Sequence, residues 1–152
     1  MTRMPRSFRP SPRRAQRGVG MIEVLVAVLV LAIGLLGIAA MQAAALRNSQ
    51  SSLERSTATV LVYSIFDAMR ANANVARVGG YNMGLTCNVP GGGDLAANDR
   101  AAWMTRVQQN LGDTACGQIQ CAADQCTATI RWDDTRGTGG TATQTFATTT
   151  RI

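Results

Sequence analysis

Residues 17–42 read RGVGMIEVLVAVLVLAIGLLGIAAMQ, and the rest of the chain is placed by what this stretch can do. From Val24 to Met41, eighteen consecutive residues carry no charge, no amide and no proline. As an α-helix they span about 27 Å, close to the ~30 Å hydrocarbon core of a bilayer. The segment is therefore long enough to cross a membrane. At its mouth sits Glu23, five residues after Gly18. A carboxylate beside apolar residues is disfavoured unless it has a partner. The nearest basic residues in sequence are Arg17 before it and Arg47 after it. Two readings follow. Glu23 can sit hydrated at headgroup level. Alternatively, a cut after Gly18 would give Val19 a free α-amine, and a neighbouring subunit's amine could neutralise Glu23 inside a helical assembly. One buried charge would then act as a register device.

Arg17-Gly18, then VGMIE, then a long apolar helix resembles the processing site of type IV prepilins and type II secretion pseudopilins. Val19 stands where phenylalanine is more usual, and Gly20 where threonine is common, while the glycine and the glutamate are kept. The continuation EVLVAVLVLAIGLLGIAAMQ is most similar to minor pilins of the type IV pilus modification (PilV-like) kind. The resemblance covers about the first third of the chain. It implies an α+β pilin fold, in which a long spine helix packs on a small antiparallel sheet. It also implies an aspartic prepilin peptidase that cuts between Gly18 and Val19 and methylates Val19. Glu23 would be the charge that pairs with a neighbour. The implied partners are other major and minor pilins and an inner-membrane assembly platform, with no cofactor. A minor pseudopilin of a type II secretion system shares this N-terminus. A DNA-binding uptake pilin and a bitopic receptor are the readings from other classes.

The formal net charge of +6 would ordinarily suggest nucleic acid or an anionic membrane. Its distribution removes that argument. Six of the arginines, Arg3, Arg6, Arg9, Arg13, Arg14 and Arg17, precede Gly18, and no acid does. The residues after Gly18 are formally neutral, so nucleic acid is not an expected partner. Arg100, Arg106, Arg131, Arg136 and Arg151 could still cluster in space. The leader also holds Pro5, Pro10 and Pro12 and has no apolar periodicity, so it is expected to be disordered. By the positive-inside rule its arginines keep the N-terminus cytoplasmic and place the head in the periplasm. A rival is ordinary secretion with cleavage at Ala43-Ala44-Ala45, but the apolar stretch is long for a signal peptide and Glu23 is out of place in one.

From Gln42 to Asn74 there is no proline or glycine. Leu46, Leu53, Val60, Leu61, Ile65, Phe66 and Met69 recur at helical spacings, with polar residues between them. One helix is therefore expected from about Gly20 to about Asn72, apolar all round at first and amphipathic later. The expected division is a leader at 1–18, a membrane or assembly half at 19–42, an amphipathic half at 43–74 and a head at 75–152. Within the head, Gly79 to Gly93 reads as a loop. Gly91-Gly92-Gly93 lacks the lysine and hydroxyl of a phosphate loop. A short helix is expected from Asn98-Asp99, capped by Asn98, carrying Trp103, Val107 and Leu111 and stopped by Gly112. Thr127 to Trp132 alternates like a strand, with Ala128, Ile130 and Trp132 on one face, and Thr143 to Ile152 is β-prone.

Cys87, Cys116, Cys121 and Cys126 all fall in the head, where an even count beyond a membrane crossing suggests two disulfides. Three pairings are possible. Cys87–Cys116 with Cys121–Cys126 is favoured because the second closes a short local loop. Zinc is disfavoured by the spacing and by the lack of histidine. Catalysis also lacks its usual parts: there is no histidine, no lysine and no G-x-S-x-G. Asp133-Asp134, the only adjacent acidic pair, reads as a solvated turn.

Overall fold

The computed structural model describes residues 18–137 and 139–152. The expectation of a disordered, orienting leader falls on residues 1–17 and lies outside the described residues. The chain divides into two units, Met1–Ala40 and Met41–Ile152.

Helix α1 runs over Met21–Ala71. Gly20 starts it, its carbonyl accepting the N–H groups of Glu23 at 3.0 Å and Val24 at 3.3 Å. Glu23 sits in the first turn, where the helix dipole favours a carboxylate. All residues of α1 up to Gln50 are exposed. Among the described residues, α1 is the one helix long and apolar enough to cross a membrane. Further along, one face is covered, with Ala58, Leu61, Val62, Ile65, Phe66 and Met69 buried. Leu46, Leu53 and Val60, expected on that same face, are exposed instead. They recur every seven residues and form a line of their own, while Leu61 lies about 100° further round the helix than Val60. Asn72 leaves the helical conformation at φ −127°, and a short helix α2 follows over Ala73–Arg77. Gly79, at φ +82°, then takes the left-handed turn that breaks the run.

Strand β1 (Met83–Thr86) lies inside the stretch expected to be loop. Helix α3 occupies Leu95–Leu111, one turn earlier than its expected start. Asp94, not Asn98, is its N-cap, its carboxylate accepting the N–H of Ala97 at 2.7 Å. Asn98 instead braces the loop, exchanging hydrogen bonds with the N–H and carbonyl of Gly93. Gly112, at φ +101°, ends the helix as expected.

Strands β2 (Cys116–Ala122), β3 (Gln125–Trp132) and β4 (Gln144–Arg151) complete a four-stranded antiparallel sheet in the order β1-β2-β3-β4. Ile119, Ala128, Ile130 and Trp132 are buried with the covered face of α1 and with Trp103, Met104, Val107 and Leu111 of α3. This is the expected α+β arrangement of a long apolar helix packed on a small antiparallel sheet. Trp103 ties the layers together, its indole N–H donating to the carbonyl of Leu61 at 2.9 Å. Gly117 makes room for it, since a Cβ there would stand 2.6 Å from both the Trp103 ring and the Met104 sulfur.

Candidate functional site: the N-terminal junction and the cysteines of the head

Gly18 and Val19 precede α1 in non-helical backbone and are exposed. Among the described residues, a Cβ on Gly18 would meet nothing within 4 Å. Val19 and Glu23 line one shallow groove with Val24, Ala27, Val28 and Leu31, so the two expected site residues lie on the same side. Among the described residues the Glu23 carboxylate makes no hydrogen bond or ion pair. A charge at the mouth of an apolar helix thus stands available to a partner.

The four cysteines form two disulfides, Cys87–Cys116 and Cys121–Cys126. The first fastens the segment after β1 to the start of β2. Gln108 supports it by donating to the carbonyls of Cys87 at 2.7 Å and Asp113 at 3.3 Å. The second joins register partners across the β2–β3 hairpin. Among the described residues no three metal-ligating side chains come together. Of the five arginines singled out as a possible patch, Arg136 pairs with Glu54 at 3.5 Å and Arg151 with Asp124 at 3.4 Å. Arg100 donates to the carbonyl of Asn82, and Arg106 to that of Ala102.

Two polar clusters escaped the sequence reading. Asp134, expected to be solvated, is 1% exposed. The Ser51 hydroxyl donates to its carboxylate at 2.7 Å, and the Arg55 guanidinium lies 3.6 Å away. The turn wraps this residue, with the N–H of Gly137 donating to its carbonyl and its own N–H to that of Thr141. The signal available was the run of glycines after it, which permits so close a fold. Neighbouring Asp133 stays exposed. The backbone N–H of Thr135 holds its carboxyl below the usual range. The second cluster centres on buried Tyr81, which donates to Asp99 at 2.6 Å and accepts from Asn72 at 3.4 Å. Burial, and then the Asp99 carboxylate, push its phenol above its usual pKa.

No curated protein and no solved structure matches the chain. Residues 13–39 match the family model described as the prokaryotic N-terminal methylation motif, and this match supports a type IV pilin or pseudopilin precursor, a structural subunit that a prepilin peptidase processes and that assembles with other pilins.

Proposed function

We propose that the chain is a minor type IV pilin precursor, held in the inner membrane with its N-terminus cytoplasmic and its head periplasmic. The prepilin peptidase cuts between Gly18 and Val19, and the new amine on Val19 is methylated. The mature subunit then enters a filament, or primes one, at the assembly platform. There the amine of one subunit neutralises Glu23 of another. One observation carries this reading. Glu23 is an exposed carboxylate on a helix that is otherwise apolar to Met41, five residues after an open glycine and inside the matched motif.

The test is the N-terminus and intact mass of the protein from native membranes, without reductant. The expected chain starts at methylated Val19 and lacks four hydrogens, lost to two disulfides. A start near Leu46 would mean ordinary secretion and would sink the proposal. An intact Met1 in cells that hold the peptidase would leave a plain membrane anchor. Deleting the gene separates pilus from secretion system. Loss of surface filaments with normal export supports the pilus, and the reverse phenotype assigns a pseudopilin.

A further inference from the structure

The two disulfides lie on opposite faces of the sheet. In β2, Gly117 and Ile119 face the core, and alternation sends Cys121 the same way. Its sulfur meets the Met69 sulfur at 3.7 Å, and its partner Cys126 is fully buried. Cys116 has the other parity and faces outward, as does Arg131, its register partner on β3. Nη2 of Arg131 donates to the Cys116 sulfur at 3.5 Å. Arg131 is half-buried, and among the described residues no carboxylate pairs with it.

A cavity of about 280 Å³ opens beside this pair, lined by Cys87, Cys116, Arg131, Thr114 and Thr143. Asp133 lines it too, with its carboxylate accepting the N–H of Thr135 at 2.9 Å. The two sulfurs of the outer disulfide are not equivalent. Cys87 is exposed, whereas Cys116 is 3% exposed. An incoming nucleophile therefore reaches Cys87 first. A cation beside a cysteine sulfur favours its thiolate, and the better-stabilised thiolate leaves faster. Access thus selects one sulfur for attack, and charge selects the other to leave.

We propose that Cys87–Cys116 is a reactive disulfide and that Cys87 is a site of S-thiolation by a small thiol. The thiol gives its proton to solvent, and its thiolate enters the cavity and attacks the Cys87 sulfur. A new S–S bond forms there. The Cys87–Cys116 bond breaks, and its electron pair leaves on Cys116 as a thiolate that Arg131 stabilises. The sulfur of the small thiol is oxidised and that of Cys116 reduced, so no further reactant is needed. Gln108 keeps its 2.7 Å bond to the Cys87 carbonyl, which leaves the segment an anchor when the disulfide opens. Cys121–Cys126 has neither an exposed cysteine nor, among the described residues, a cation on its sulfurs. The inference rests on the head and not on how the N-terminus is processed.

Thiol exchange on the full chain in detergent micelles tests it. The probe is reduced glutathione at neutral pH, with free thiols then trapped by iodoacetamide and the adducts located by mass spectrometry. Early in the reaction, glutathione should sit on Cys87 and the alkyl group on Cys116, with the reverse adduct at least about tenfold rarer. Cys121–Cys126 should open at least about tenfold more slowly. Arg131→Gln should slow adduct formation at Cys87 by about threefold or more. That direction separates charge from mere support, since a loosened head would expose its sulfurs and react faster. No adduct, glutathione mainly on Cys116, or equal opening of the two disulfides would overturn the proposal. An unchanged or faster reaction in a folded Arg131→Gln protein would overturn the role of Arg131. Should that variant not fold, the position of the adduct on the unaltered chain still decides.

Discussion

The two ends of α1 are built from similar residues and meet opposite surroundings. Leu25, Leu29 and Leu36 are more than half exposed, while Val62, Ile65 and Phe66 are buried under a sheet and a second helix. Apolar content alone therefore does not say where a helix finds its partner. The buried end is satisfied within the chain. The exposed end needs a bilayer or other helices, because so long an apolar surface is not stable in water.

The sharpest way to break this contrast is truncation at matched sites. Phe66→Ala should lower the unfolding free energy by about 3–5 kcal/mol, whereas Leu29→Ala should stay within about 0.5 kcal/mol. Urea unfolding of the full chain in detergent, followed by near-UV circular dichroism, reads both. Similar losses at the two sites would abolish the distinction. The disulfides sharpen it further, since they constrain the head alone. Loop-closure entropy gives about 3.5 kcal/mol for Cys87–Cys116 and about 2 kcal/mol for Cys121–Cys126, because the first closes the longer loop. Double serine variants compared by the same unfolding assay should show that order while the helicity of Val24–Met41 persists. Ser51→Ala should cost about 1–3 kcal/mol, because it leaves the buried Asp134 carboxylate without its 2.7 Å donor. A loss below about 0.5 kcal/mol would mean that water or Arg55 substitutes for the hydroxyl.

The smallest effect is a pH dependence. Burial and the Asp99 carboxylate raise the Tyr81 phenol above its ordinary value of 10.0 in the folded state. Its contribution to stability is therefore complete below pH 10.0 and is lost as pH rises through the folded value. Tyr81→Phe should flatten the fall of stability above that pH. An unchanged alkaline slope would refute the assignment.

Features that depend on local pattern were legible in the sequence. The run without glycine or proline from Gln42 to Asn74 announced α1, and the alternation of Ala128, Ile130 and Trp132 announced β3. β2 was hidden because CGQIQCA offers one large apolar residue, and its glycine answers to Trp103, which sits on another element. The start of α3 was misplaced because Asp94 and Asn98 are both good caps, and the path of the incoming loop decides between them. Burial of Asp134 depends on Ser51, 83 residues away, a distance no local pattern spans. The N-terminal methylation motif was legible because it lies in one contiguous stretch, residues 13–39.

The placement of the aromatic rings has an optical consequence. Between Arg9 and Val62 the chain has no tryptophan, tyrosine or phenylalanine, and both tryptophans lie in the core of the head. Tryptophan emission therefore reports on the head alone. Loss of residues 1–18 would leave the 280 nm absorbance unchanged, and any insertion of the apolar half of α1 into lipid would be spectrally silent. A red shift of tryptophan emission would mean that the head had opened, whatever the state of the apolar half of α1.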